Sequence, residues 1–189
     1  FKLKTVELAP RGRLVISESG NKRFSLFSPR GKFIKTVPFP ADDVGQMEFL
    51  PDGRVVAEVG RSYMPNPSVI GTRWSLMVLD STYHGMASLD SLTADMVVVS
   101  TSKGTQVATP PYGNYMVWCL GPDGRIFFGK ANEYRISVVD RELKPLRVLS
   151  RKVPSVKISG EERKKYNDQM PPDIVAAAKF PDAKPPVEG

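Results

Sequence analysis

Pro51-Asp52-Gly53-Arg54 recurs as Pro122-Asp123-Gly124-Arg125, and a near-copy, Pro10-Arg11-Gly12-Arg13, stands near the start of the chain. Each copy leads into a short apolar run: Leu14-Val15-Ile16, Val55-Val56-Ala57 and Ile126-Phe127-Phe128. A glycine-containing turn between apolar runs reads as an antiparallel hairpin, and the same hairpin used three times reads as a repeat architecture. Outward from the first turn the chain continues through the turn Ser19-Gly20-Asn21-Lys22, the run Arg23-Phe24-Ser25-Leu26-Phe27 and the turn Ser28-Pro29-Arg30-Gly31. An offset of 112 residues, Gly124 minus Gly12, carries these onto Asn132-Glu133-Tyr134 and Arg135-Ile136-Ser137-Val138-Val139. The middle copy keeps both ends, with Ser75-Leu76-Met77-Val78-Leu79-Asp80 as its third strand. It holds about eleven extra residues between Gly60 and Gly71, which read as an irregular loop. Alternation such as Phe24/Leu26 and Leu76/Val78 is the period-two pattern of strands with a buried face.

The stretch Leu14 to Val37, LVISESGNKRFSLFSPRGKFIKTV, resembles the NHL-type repeat of six-bladed β-propellers, with its hydrophobic-acidic-x-Gly-Asn-x-Arg core followed by a glycine turn. The wider layout is similar to bacterial exported six-bladed propeller proteins. The middle repeat lacks Gly-Asn-x-Arg, and the third has Ala131-Asn132-Glu133-Tyr134-Arg135 in its place. The resemblance implies an all-β propeller of four-stranded antiparallel blades and an extracytoplasmic, periplasmic or secreted setting. On this reading blade 1 covers about 3–38, blade 2 about 45–92, an inter-blade hairpin about 93–113 and blade 3 about 115–150. A helical, proline-rich connection fills 151–189. Three blades are half of a six-bladed ring, and a propeller is stable because each sheet packs on two neighbours. The expected partners are therefore the remaining blades, in a longer polypeptide or in a second copy.

Composition fits a folded globular unit, with 41% hydrophobic and 25% charged residues. No apolar run approaches the roughly 20 residues of a membrane helix. The lone Cys119 excludes an internal disulfide, and its place in Met116-Val117-Trp118-Cys119-Leu120 predicts a buried, inert thiol. The lone His84 sits in the turn Ser81-Thr82-Tyr83-His84-Gly85, which leaves no material for a histidine-rich zinc site or a compelling catalytic triad. The pairs Asp42-Asp43 and Glu161-Glu162 read as solvated loop and helix-start residues. No compact oxygen-ligand loop marks a calcium site, so no metal, cofactor or catalytic residue is assigned. Lys and Arg total 27 against 20 Asp and Glu, a net charge of +7, but they are spread along the chain. That dispersion favours an anionic ligand or protein partner over nucleic acid.

Ser159-Gly160-Glu161-Glu162 is a capping box that starts a helix running to Gln169 or Met170, packed on the propeller edge, and 173–178 has the composition of a second short helix. Alternation of turns along four-stranded blades puts the 60–71, 93–115 and 150–186 segments on one face of the ring. Loops on a rigid scaffold are the usual seat of binding. Arg61, Tyr63, Arg73 and Tyr112 are the candidate binding residues there, the arginines for anionic groups and the tyrosines for amphipathic contact. The same aromatics also serve simply to cover blade ends. The reading is a non-catalytic binding or scaffold module. The alternatives are part of a lactonase-like, metal-dependent propeller hydrolase whose catalytic residues lie mainly elsewhere, and an RNA-binding NHL-type propeller.

Overall fold

The computed structural model describes residues 3–66, 69–89, 95–101, 104–108, 116–130, 133–152, 156–170, 172, 175 and 183–184. Sheet 1 is the four-stranded meander β1 (Leu3–Leu8), β2 (Leu14–Glu18), β3 (Arg23–Phe27) and β4 (Phe33–Pro38). Sheet 2 holds β5 (Asp43–Phe49), β6 (Val55–Asn66), β7 (Val69–Leu79), β8 (Gly85–Leu89), β9 (Asp95–Thr101) and β10 (Gly104–Ala108). Sheet 3 repeats the meander with β11 (Met116–Leu120), β12 (Ile126–Lys130), β13 (Arg135–Val139) and β14 (Pro145–Ser150). All described pairings within these sheets are antiparallel. A two-residue pairing of β15 (Val156–Lys157) with β16 (Ala183–Lys184) flanks the helix α1 (Gly160–Gln169). The fold is all-β and propeller-like, with one short helix.

Alternation places sheet 2 between the other two. Val55, Ala57 and Val59 of β6, with Met77 and Leu79 of β7, join Val15, Phe24 and Leu26 of sheet 1 in one core cluster. The intervening Val56, Leu76 and Val78 join Trp118, Ile126, Phe128 and Val139 of sheet 3 in another. A strand buried on both faces needs apolar side chains at consecutive positions, which is why β6 opens Val-Val-Ala and β7 closes Leu-Met-Val-Leu. β1 lies beside β5, and Lys4 of one pairs with Asp43 of the other at 2.7 Å. The exposed β4 and β14 form outer edges.

One hydrogen-bond pattern recurs at the first and third turns of every sheet. In the first turns the amide of Ala9, Leu50 or Gly121 donates to the carbonyl of Arg13, Arg54 or Arg125 (2.8–2.9 Å), and the amide of Gly12, Gly53 or Gly124 donates back. The third turns, starting at Ser28, Asp80 and Asp140, repeat both bonds. Except in the first turn of sheet 1, where Arg11 before the glycine is itself left-handed (φ 64°, ψ 23°), this is a type I turn followed by a left-handed residue. Glycine takes that position in the first turns, with φ of 73°, 89° and 78°, and Gly31 takes it in the third turn of sheet 1, with φ 74°. In sheets 2 and 3 the third-turn position is held by Tyr83 (φ 71°) and Leu143 (φ 63°), side chains that ordinarily avoid left-handed backbone. Both are buried, and they occupy different cores: Tyr83 stacks on Phe24 of sheet 1 at 5.2 Å, and Leu143 joins the core between sheets 2 and 3. Burial of a large apolar side chain, worth about 1.5–3 kcal/mol, offsets the backbone strain of about 1–2 kcal/mol. The third turn of each later sheet thus plugs the end of its interface with the sheet before.

Two expectations are corrected. The 60–71 segment is not a loop: β6 and β7 continue through it as a long hairpin, in register from Val55↔Leu79 to Tyr63↔Gly71. Pro65 is accommodated because the register shifts between Tyr63 and Asn66, where ladder hydrogen bonds are interrupted. Cys119 is exposed, because it alternates with Trp118 and stands on the face of sheet 3 turned away from sheet 2. The capping box forms, with Ser159 N–H donating to Glu162 at 2.9 Å and Glu162 N–H to Ser159 Oγ at 3.2 Å. None of the residues of α1 is wholly buried, but Glu162, Arg163 and Tyr166 along one side are half-buried, and burial raises the pKa of the Tyr166 phenol. The 173–178 stretch falls almost wholly outside the described residues.

Candidate binding face

The long β6–β7 hairpin assembles the site. Arg61 stands directly opposite Arg73, and Tyr63, two residues further along β6, shares the face of Arg61. The Arg73 guanidinium lies 5.2 Å from the centre of the Tyr63 ring, a cation–π contact that holds it flat against the hairpin. Arg61 and Arg73 are exposed and Tyr63 is half-buried. The face is the continuation, beyond sheet 1, of the one that Val55, Ala57 and Val59 present to the first core. On the other side of Arg73 the register places Asp95 of β9. Three of the four sequence-predicted residues are therefore brought together; Tyr112 lies outside the described residues.

Acidic residues that read as solvated in the sequence anchor this corner. Asp42 accepts from the Ser62 backbone N–H at 2.8 Å and from Lys22 Nζ at 3.3 Å. The Ser62 bond first, then Lys22, hold its carboxyl below the usual range, with Arg61 adding to the effect. Asp43 accepts from Lys4 at 2.7 Å and from Ser19 Oγ at 3.0 Å. These contacts tie the second turn of sheet 1 to the start of sheet 2 and fix the base of the hairpin. Lys4 Nζ also lies 4.9 Å over the buried Trp74 ring, which packs on Gly60 so closely that a Cβ there would come within 3.2 Å of it. The Trp74 indole N–H has no hydrogen-bond acceptor among the described residues.

A groove of about 530 Å³ runs from Arg61 past Pro38-Phe39-Pro40 and Met77 to Tyr83 and His84. Arg61 and the exposed imidazole of His84 both line it, together with the apolar Phe39 and Met77. Burial raises the Tyr83 phenol's pKa. Sequence reasoning missed the groove because it is shaped by two sheets, and it missed Asp42 because an Asp-Asp pair after prolines carries no local sign of its distant amide partner.

A second group of carboxylates follows the inner strands. Burial, then the charge of Glu48, raises the pKa of Glu7. Burial also raises that of Glu58, whose side chain accepts from the Gln46 amide. Among the described residues no three histidine, cysteine or carboxylate side chains converge on a point that would hold a metal ion. None of the described helices is long and apolar enough to cross a membrane.

No family model and no curated protein matches the chain. The solved structures similar to it include the following two. One is a protein of unknown function from Bacteroides caccae, 9% identical, with a TM-score of 0.33, over 79% of this chain and 61% of that one. The other is virginiamycin B lyase from Staphylococcus aureus, 13% identical, with a TM-score of 0.29, over 80% of this chain and 71% of that one. The chain therefore spans less than two thirds of the Bacteroides protein.

Proposed function

We propose that this chain is a non-catalytic binding module whose β6–β7 hairpin receives an anionic group of a small ligand or protein partner. The observation that carries this reading is the cross-strand pair Arg61↔Arg73 on an exposed face. Like charges directly opposite each other on neighbouring strands destabilise a sheet; Asp42 near Arg61 and Asp95 in register with Arg73 offset part of that charge, and a ligand anion between the two guanidiniums would offset more. Tyr63 supports the geometry by holding Arg73 in place, and Asp42 supports it by pinning the Ser62 amide between Arg61 and Tyr63. A carboxylate or phosphate can accept from both arginines, and the apolar groove beyond Arg61 adds contact area.

The reading is tested by titrating the protein with inorganic phosphate and, separately, with a short glutamate-rich peptide, while the arginine side-chain N–H resonances are followed by NMR. Shifts should concentrate on Arg61 and Arg73 and disappear in the double variant Arg61→Ala/Arg73→Ala. Shifts spread evenly over the other arginines, or binding that survives the double substitution, would sink it.

A further inference from the structure

The groove of about 530 Å³ lies between the Pro38-Phe39-Pro40 crossing, which leaves sheet 1, and residues 85–88 of β8, the outer strand of sheet 2. Its volume falls within the roughly 300–1,000 Å³ of small-molecule sites. Among its described lining residues the basic groups are Arg61 and His84, and no carboxylate is present. The acidic residues that act on these two bases are engaged elsewhere. Asp42 accepts from Ser62 N–H and Lys22 Nζ, and Asp80 accepts from the backbone N–H groups of Thr82 and His84. His84 Nδ1 is in turn met by Thr82 Oγ1 at 2.8 Å, which leaves Arg61 as the stronger anion contact. The rest of the wall is apolar and adaptable. Phe39 and Tyr83 are anchored on Phe24 at 4.7 and 5.2 Å, while Met77 and the 60% exposed Met86 supply flexible thioethers that repack around a bound chain. Gly85 permits this wall, since a Cβ there would come within 2.9 Å of Met77 Sδ.

We infer that the groove binds a free carboxylate carrying an unbranched apolar chain, with the carboxylate at Arg61 beside Arg73 and the chain along Phe39, Met77 and Met86. This rests on the reading of the Arg61–Arg73 face as an anion site and specifies the molecule that carries the anion. A guanidinium fork matches the two oxygens of a carboxylate, and a lining with basic groups and no carboxylate is complementary to one negative charge. A chain of methylenes then covers the exposed Met86 and brings no polar group into the groove. An acidic peptide would instead lay backbone N–H and C=O groups against Phe39, Met77 and Met86, whose side chains give them no good hydrogen-bond partner, and burying such groups is costly. Inorganic phosphate satisfies the arginines but leaves the apolar wall wet.

The test titrates the 189-residue chain with acetate, hexanoate, octanoate and decanoate as dispersed monomers, following arginine side-chain N–H and methionine methyl resonances by NMR. Affinity should rise about fourfold for each methylene that enters the groove, with shifts at Arg61, Met77 and Met86. Arg61→Ala should weaken decanoate about tenfold, and decanol, which keeps the chain without the charge, should bind the parent no better than decanoate binds that variant. Met86→Asp should flatten the dependence on chain length while inorganic phosphate still shifts Arg61 and Arg73, and Met86→Leu should restore it. Arg61 and Met86 are both exposed, so these substitutions leave the sheets intact. Phosphate binding at the two arginines with no dependence on chain length would overturn this inference and leave the anion site in place. Absence of any binding at Arg61 and Arg73 would overturn both. Chain-length dependence that survives Arg61→Ala would overturn it as well. So would a glutamate-rich peptide that shifts Met86 where decanoate does not, by making a protein the occupant.

Discussion

Sheets 2 and 3 are written in the same sequence grammar but live in different surroundings. Both open with a Pro-Asp-Gly-Arg turn and both continue into alternating apolar strands. In sheet 2 the two sets of alternating side chains each find a partner sheet, so that Val56 and Leu76 are fully buried on one side and Val55 and Ala57 on the other. In sheet 3 one set is covered by sheet 2; of the other, Val138 is buried while Val117, Ile136 and Leu149 remain 51%, 46% and 45% exposed. The turn arginines record the same difference, with the Arg54 side chain 18% exposed and that of Arg125 49% exposed. A repeat can thus encode an interface without containing it. Exposed apolar faces of this size mark surfaces that a repeat architecture ordinarily covers.

The comparison is broken most severely in the core. Leu76→Ala should cost about 2–5 kcal/mol, because it empties space between two sheets. Ile136→Ala, the same kind of truncation on the outward face, should cost no more than about 0.5 kcal/mol. Denaturant midpoints of the two variants measure the contrast, and comparable losses would mean that the outward face is covered in solution.

Arg54, which donates to Asp52 of its own turn at 2.8 Å and across to Glu142 of sheet 3 at 3.1 Å, gives a smaller effect. Arg54→Ala should cost about 1 kcal/mol, since it removes bonds to Asp52 and Glu142 at a partly buried site, whereas Arg125→Ala should stay near zero. The Arg54 hydrogen bond holds the Asp52 carboxyl below its ordinary pKa. A carboxyl depressed on folding contributes stability above its unfolded pKa and loses it as pH falls through the folded one. The gap between wild type and Arg54→Ala should therefore be full at neutral pH and narrow on acidification below the usual carboxylate range. A gap that is independent of pH would show that Arg54 acts through packing alone.

Glu58 should give the smallest shift, with the opposite sign. Burial raises its pKa, so its ionised form opposes folding at neutral pH and its protonated form does not. Glu58→Gln keeps an acceptor for the Gln46 amide and removes the charge, and should raise the thermal midpoint by about 2 °C at pH 7. The gain should fade below pH 4, where the native carboxyl is itself neutral. A lowered midpoint at pH 7 would show instead that the carboxylate is needed by Lys4.

Much of this architecture was legible in local sequence. The six first and third turns follow from residues within five positions of one another, and the period-two alternation needs nothing beyond the strand itself. The Glu18, Gly20, Asn21 and Arg23 spacing was readable for the same reason: Asn21 and Arg23 both donate to the Glu18 carboxylate, at 2.8 and 3.1 Å, and Ser25 donates to its other oxygen. Arg61 and Arg73 were selected for their charge, but their direct opposition depends on the hairpin register. Reading 60–71 as an irregular loop hid that register.

The sequence by itself determined the four-stranded repeat and its turns, because those depend on contacts between residues close along the chain, whereas the long β6–β7 hairpin and the pairing of β9 with β7 did not follow from it. Tertiary structure alone decided which side of each strand is buried, why Tyr83 and Leu143 hold left-handed backbone, and why Cys119 is exposed while its neighbour Trp118 is not. Alternation specifies two faces for every strand but does not say which of them meets another sheet. That choice is made by packing across long sequence separations, where the burial of one side chain compensates for strain or desolvation in another.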